Sequence, residues 1–126
     1  MRILFNIAAL LMLVACGKSM EIKQSDSGRV IALAKGQKAV IRLSENPTTG
    51  YGWDFEIEPK KQKAITVISS KFIARASDLI GAGGIREYKF KAKKAGNVTI
   101  HGYYVRPWEQ LDKESTLQVH YEIEVE

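Results

Sequence analysis

Leu117-Gln118-Val119-His120-Tyr121-Glu122-Ile123-Glu124-Val125 alternates apolar and polar side chains without a break. Successive side chains of an extended strand point to opposite faces, so this stretch reads as a β-strand with one face buried and one in water. A helix would scatter these apolar residues around its surface. The same period of two recurs upstream. Val98, Ile100, Gly102 and Tyr104 share a face, and Tyr88, Phe90 and Ala92 alternate with Lys89, Lys91 and Lys93. Trp53, Phe55 and Ile57 alternate with Asp54, Glu56 and Glu58, and Ala39, Ile41 and Leu43 with Val40, Arg42 and Ser44. Adding 29–34 and a long segment at 65–74, with a break expected at Ser69-Ser70, predicts seven strands separated by turn signals. That is the pattern of an all-β, antiparallel β-sandwich.

The rest of the composition agrees. A chain of 126 residues, 45% hydrophobic and 26% charged, suits one globular domain. Its single cysteine, Cys16, excludes an internal disulfide framework and any zinc site of several thiolates. With only two histidines as well, neither a metal nor another cofactor is expected. The formal net charge of +5 raises the question of nucleic acid. Lys and Arg are not interleaved with aromatics on one strand face, so no nucleic-acid partner is expected. The Glu56/Glu58 and Lys89/Lys91/Lys93 rows read as solvated surface.

The N-terminus reads differently. Met1-Arg2 precedes a short apolar run, 3–15, that is cut off by Gly17-Lys18-Ser19. A membrane-crossing helix needs about 20 apolar residues. The run therefore reads as a signal peptide over 1–15. Its end, Leu13-Val14-Ala15-Cys16, resembles the lipobox of bacterial lipoproteins. The resemblance implies cleavage before Cys16, diacylation of its thiol and acylation of the new N-terminus. The protein is then expected to be exported and lipid-anchored to the bacterial cell envelope, at the outer membrane if the cell is Gram-negative. Contact with the membrane is expected through this lipid only. Residues 16–28 are polar and without period and are expected as a tether, with the domain at 29–126.

In an antiparallel sandwich, successive connections alternate between the two ends. One end receives Lys35-Gly36-Gln37, Pro59-Lys60-Lys61-Gln62-Lys63 and Lys94-Ala95-Gly96-Asn97, which are plain polar turns. The other receives Asn46-Pro47-Thr48-Thr49-Gly50-Tyr51, the segment 77–84 with Gly81-Ala82-Gly83-Gly84, and Arg106-Pro107-Trp108-Glu109. These loops are small-residued and carry little charge, and one places a tryptophan where solubility would avoid it. Trp, Tyr and Arg dominate binding hot spots. Singly, each loop also reads as an ordinary turn, and Trp108 also reads as a cap folded onto the core. Three such loops converging on one end point to a binding end.

The three motifs resemble, in order and spacing, those of the chagasin family of cysteine protease inhibitors. The match runs through Asn46-Pro47-Thr48-Thr49-Gly50-Tyr51 with Trp53, Gly81-Ala82-Gly83-Gly84, and Arg106-Pro107-Trp108, and covers about the whole domain. The resemblance implies an immunoglobulin-like sandwich that reversibly blocks papain-like (clan CA) proteases without a covalent bond; a monomer is expected. It implies three loops wedged into the active-site cleft, with Thr48 central against the catalytic Cys–His pair. Arg106 is left with two roles, pairing with a protease carboxylate or bracing its own loop. Catalysis by this chain is not expected. His101 and His120 fall between apolar neighbours of alternating strands, away from the loop tips, and no nucleophile–base pair stands out. The alternative is a non-inhibitory module that binds envelope carbohydrate or protein, with Trp108 and Tyr51 stacking on sugars.

Overall fold

A computed structural model of the chain describes residues 19–75 and 83–126. Among them are eight strands: β1 (Met20–Lys23), β2 (Val30–Leu33), β3 (Lys38–Glu45), β4 (Gly52–Glu58), β5 (Ile65–Ala74), β6 (Gly84–Ala92), β7 (Gly96–Val105) and β8 (Gln118–Val125). Two four-stranded sheets, ordered β1-β3-β6-β5 and β2-β8-β7-β4, enclose the core. The alternation seen in the sequence is the alternation of burial. Val119, Tyr121, Ile123 and Val125 of β8 are buried, and the residues between them are exposed. Phe90, Ile41, Leu43, Ile100 and Leu33 complete the centre. Each such side chain contributes about 1.5–3 kcal/mol by leaving water.

Two expectations are corrected. The first is the tether at 16–28, because β1 lies within it and pairs with β3. Ile22 is only 1% exposed and fills the core between outward-facing Glu21 and Lys23. Met20-Glu21-Ile22-Lys23 does alternate apolar and charged residues, but the polar run Gln24-Ser25-Asp26-Ser27 that follows masks it. The sandwich therefore includes Met20–Lys23, ahead of residue 29, and among the described residues the buried core runs from Ile22 to Val125. The second correction concerns strand direction. β3–β6, β5–β6, β4–β7 and β7–β8 are antiparallel, but β1–β3 and β2–β8 are parallel. After β1 the chain crosses to the other sheet, and after β2 it crosses back. Each of these strands therefore joins an edge beside a neighbour running its own way. The break expected at Ser69-Ser70 is a register shift between Val67 and Ser69.

The buried Tyr121 hydroxyl donates to the Lys23 carbonyl at 3.0 Å, tying one sheet to the other. Burial first, and the charge of Asp26 second, pushes its pKa up to about 12. His101 and His120 pair across β7 and β8 in mid-strand, away from the loops.

The turns do sort to two ends. Gly36 N donates to Ala92 O at 2.8 Å and Lys93 N to Ala64 O at 2.7 Å, which gathers the lysine-bearing turns together. The described parts of the connections 46–51, 75–83 and 106–117 lie at the opposite end. Residues 1–18 and 76–82 lie outside the described residues. With them go the signal peptide, Cys16, Gly81 and Ala82.

Candidate functional site

Residues 46–51 fold into a single 3-10 turn, Pro47–Thr49, between β3 and β4. Proline keeps the residue before it extended, and Asn46 has φ −126° and ψ 94°. The Asn46 side chain caps the turn. Its Oδ1 accepts from Thr48 N at 3.2 Å and from Thr48 Oγ1 at 2.6 Å. Thr49 Oγ1 donates to the Asn46 carbonyl at 2.8 Å. Both threonine hydroxyl protons are thus held within the loop, and their oxygens face solvent as acceptors. Gly50 ends the turn at φ +82°, its N donating to Pro47 O at 3.0 Å.

Residues 106–109 form the second wall. Glu109 N donates to Arg106 O at 3.0 Å, closing a turn around Pro107 and Trp108. Arg106 is the strut between the two loops. Its Nε donates to the Thr49 carbonyl at 3.0 Å, and its Nη1 lies 3.1 Å from Glu109 Oε1. Its guanidinium sits 4.3 Å above the Tyr51 ring and 6.0 Å from that of Trp108. Of the two roles open in the sequence, bracing is therefore the one observed. Trp108 does not fold back to cap the core. It is 72% exposed and rests on Gly50, where an added Cβ would stand 2.4 Å from Trp108 Cη2. Gly50 is needed both for its backbone angle and for the approach of the indole. Further along this connection, the Asp112 carboxylate accepts from Ser115 Oγ and Glu114 N, and the Ser115 bond foremost holds its pKa below the usual carboxylate value.

The third connection is described at its roots. Arg75 N donates to Gly83 O at 3.1 Å. A Cβ on Gly83, at φ +71°, would stand 3.0 Å from the Glu45 carbonyl and 3.3 Å from Asn46 Cβ. Gly84 packs against Ile73 O so closely that a Cβ would come within 2.1 Å. The glycines expected as a contact element thus seat the root of this loop against the base of 46–51. Gly81 and Ala82 fall outside the described residues.

Beneath the loops lies a support that the sequence reading missed. Glu45 ends β3 with its side chain 1% exposed. It accepts from Arg86 Nη2 at 2.8 Å, from Arg86 Nε at 3.2 Å and from Trp53 N at 2.8 Å. Trp53 Nε1 donates to Ser44 O at 2.8 Å. From Trp53 an aromatic stack climbs to the surface. The Trp53 and Tyr104 rings lie 5.0 Å apart, and Tyr104 and Tyr51 are 5.3 Å apart and nearly parallel. Arg106 covers Tyr51, and the Tyr104 hydroxyl accepts from Asn46 N at 3.0 Å. The overlooked signal was positional. Glu45 and Arg86 occupy core-facing places in alternations whose other members are apolar, Ala39-Ile41-Leu43 and Tyr88-Phe90-Ala92. A charge in such a place needs a partner, and here each is the other's.

The result is an internally braced ridge with Pro47, Thr48, Thr49, Pro107 and Trp108 exposed along it. A sequence profile described as "Chagasin family peptidase inhibitor I42" matches residues 32–123. Chagasin from Trypanosoma cruzi is 32% identical over 92 residues, 71% of this chain and 84% of the relative. The crystal structure of the cysteine protease inhibitor EhICP2 from Entamoeba histolytica superposes with a TM-score of 0.74 at 23% identity, covering 85% of this chain and 95% of that one. PbICP-C, solved in complex with falcipain-2, gives a TM-score of 0.59 at 19% identity over 85% and 98%. This chain is thus similar in sequence to chagasin and shares its sandwich with EhICP2 and PbICP-C.

Proposed function

We propose a mode of action from one premise: the chain belongs to the chagasin family of peptidase inhibitors. As a monomer it blocks papain-like cysteine proteases by filling the active-site cleft with the ridge built on 46–51, 77–84 and 106–109. The exposed indole of Trp108, held over Gly50 beside a pinned Arg106, is the observation that carries this reading. A binding surface gains most when its apolar anchor is exposed and its loops lose little freedom on docking. The central turn offers a protease no extended strand in register to cut, since Pro47 and Gly50 bend it tightly. Thr48, at its apex, stands for the contact with the catalytic Cys–His pair. Gly81 to Gly84 and the Arg106-Pro107-Trp108 turn flank it. Binding is reversible, because the ridge presents neither an activated nucleophile nor an electrophile.

Titration of the protein against papain tests this. Stoichiometric loss of hydrolysis is expected, with intact inhibitor recovered on dissociation. Undiminished hydrolysis at micromolar protein would overturn the reading in favour of a non-inhibitory carbohydrate- or protein-binding module.

The same proposal places the protein outside the cytoplasm, with residues 1–15 as a signal peptide and Cys16 as the site of lipid attachment. It is supported by the single cysteine standing in Leu13-Val14-Ala15-Cys16 at the end of the apolar run. Two or more acyl chains anchor a protein stably where a single one does not. The expected mass of the protein isolated from membranes begins at Cys16 and includes the acyl groups. An unmodified Cys16 would refute this part alone.

A further inference from the structure

The end opposite the ridge is lysine-rich, with Glu58, Glu124 and Glu126 at the strand ends beside its turns but none of them in an ion pair with a lysine. Lys35, Lys60, Lys61, Lys63, Lys93 and Lys94 lie in its three turns, which contain no Asp or Glu. All six are exposed. Among the described residues every side-chain ion pair uses an arginine or His101, and none uses a lysine. Lys60, Lys63, Lys93 and Lys94 line a shallow groove of about 760 Å³ floored by Ile57 and Ile65. Beside it, Lys38 and Lys91 face each other across β3 and β6, a like-charge pairing that costs stability unless an anion relieves it. By contrast, the ridge connections at 46–51, 75–83 and 106–117 carry three basic residues and four acidic ones.

The path of the chain supplies a second, independent observation. β1 runs parallel to β3 with Met20 beside Ala39, so the described chain begins at the lysine end. Cys16 is four residues earlier, a reach of at most about 14 Å. Any lipid on Cys16 would therefore hold this end, and not the ridge, near the headgroups.

We propose that the lysine end is a docking surface for an anionic phospholipid bilayer. Lysines of the 35–37, 59–64 and 93–97 turns contact the headgroups, and the inhibitory ridge is held pointing away from the membrane. The proposal rests on the anchoring reading for which surface is within reach, while the attraction itself belongs to the lysines. Each lysine close to an anionic surface strengthens binding by about fivefold, and salt weakens this within a screening length of about 10 Å.

The test uses residues 19–126, which include every buried core residue among those described but lack Cys16, so lipidation cannot contribute. Co-sedimentation is measured with vesicles of phosphatidylglycerol and phosphatidylcholine in equal parts, and with phosphatidylcholine alone. Binding to the first only, falling as salt rises, is the expected result. Replacing Lys60, Lys63, Lys93 and Lys94 together by Gln lowers it at least about tenfold. The same variant keeps its full potency against papain, which reports an intact fold. A Lys71→Gln/Lys89→Gln variant, altered on the side of the sandwich, binds nearly as well as the parent. Equal binding to both vesicle types, absence of binding to the anionic ones at low salt, or equal losses in the two variants would each overturn the proposal. None of these results touches the lipid on Cys16, which the mass measurement reads separately.

Discussion

At the ridge, Arg106 and Arg86 each satisfy several partners within the fold, and the loops lean on one another through Tyr51, Tyr104 and Gly50. At the opposite end six lysines project from turns held by backbone bonds and the Gln37 side chain, which accepts from Ala34 N, and none of the six meets a carboxylate. The sandwich between them is common to both. The contrast separates two ways of using charge. Planar guanidinium groups, which donate through several nitrogens, fix geometry where a rigid surface is needed. Flexible, hydrated ammonium groups leave a surface adaptable and dependent on salt. A rigid end suits a cleft of fixed shape, and a soft one suits a fluid sheet of headgroups.

The largest effect that would test this contrast is on Glu45. Glu45→Ala leaves the Arg86 guanidinium and the Trp53 N–H without their acceptor beneath the ridge. Breaking a buried pair from one side costs about 3–5 kcal/mol. Chemical denaturation is expected to show a loss of that size, with inhibition weakened further because Asn46 and Trp53 lose their footing. Lys93→Gln at the other end is expected to leave stability within about 0.5 kcal/mol of the parent. Similar losses in the two variants would erase the distinction between a braced and an unbraced end.

Alkali sharpens the comparison by acting on the part shared by both ends. Tyr121 is neutral in the fold with its pKa raised to about 12, against 10.0 for the ordinary group. The unfolded chain therefore loses this proton first as the pH rises. The stabilisation is fully present below about pH 10 and fades as the pH climbs to about 12, amounting to roughly 3 kcal/mol. Tyr88, raised by burial alone, acts in the same direction. Denaturation midpoints measured across this window are expected to fall, and Tyr121→Phe is expected to flatten the fall. An equally steep fall in the Phe variant would place its origin elsewhere.

How far these features were legible depends on the distance over which each is encoded. The strands from β2 to β8 are written locally, since Val119-His120-Tyr121-Glu122-Ile123 displays its two faces residue by residue. The sorting of turns follows from counting strand reversals, and it survived the change of sheet at β2 because that crossing still reverses the chain. β1 was hidden because its two periods, Met20-Glu21-Ile22-Lys23, are followed by a polar run, and of its four residues only Ile22 is fully buried, with Met20 packed partly against the core. The parallel pairings were hidden because register between distant segments leaves no local mark. Within the site, Asn46, Pro47 and Gly50 announced a turn by their own backbone preferences. The bracing by Arg106 and the Glu45–Arg86 pair arise only when separate strands meet. Even so, Glu45 and Arg86 could have been noticed as charges in core-facing places.

Trp108→Ala addresses the ridge by affinity and not by stability. The indole is mostly in water, so its removal is expected to shift stability by no more than about 0.5 kcal/mol. As an exposed aromatic anchor it is expected to account for about 2 kcal/mol of binding, a rise of roughly thirtyfold in the inhibition constant for papain. Unchanged potency would remove the 106–109 turn from the contact surface and leave the ridge to 46–51 and 77–84.

The smallest change tests whether bracing, as opposed to mere exposure, makes the ridge work. Gly50→Ala adds one methyl group at a residue with φ +82°, where a side chain is strained, and directs it to within 2.4 Å of Trp108 Cη2. The backbone strain costs about 1 kcal/mol of stability. The clash cannot be absorbed in place, so the indole must swing off the 46–51 loop, loosening the stack of Arg106 on Tyr51 as it goes. Potency against papain is then expected to fall several-fold while Trp108 remains present and exposed, and Trp fluorescence is expected to report its altered surroundings. Combining Gly50→Ala with Trp108→Ala separates the two contributions. If Gly50 acts by placing the indole, the double variant loses little more potency than Trp108→Ala alone. If the two losses simply add, Gly50 shapes the central turn independently, and the mutual support of the loops is a feature of packing with no part in inhibition.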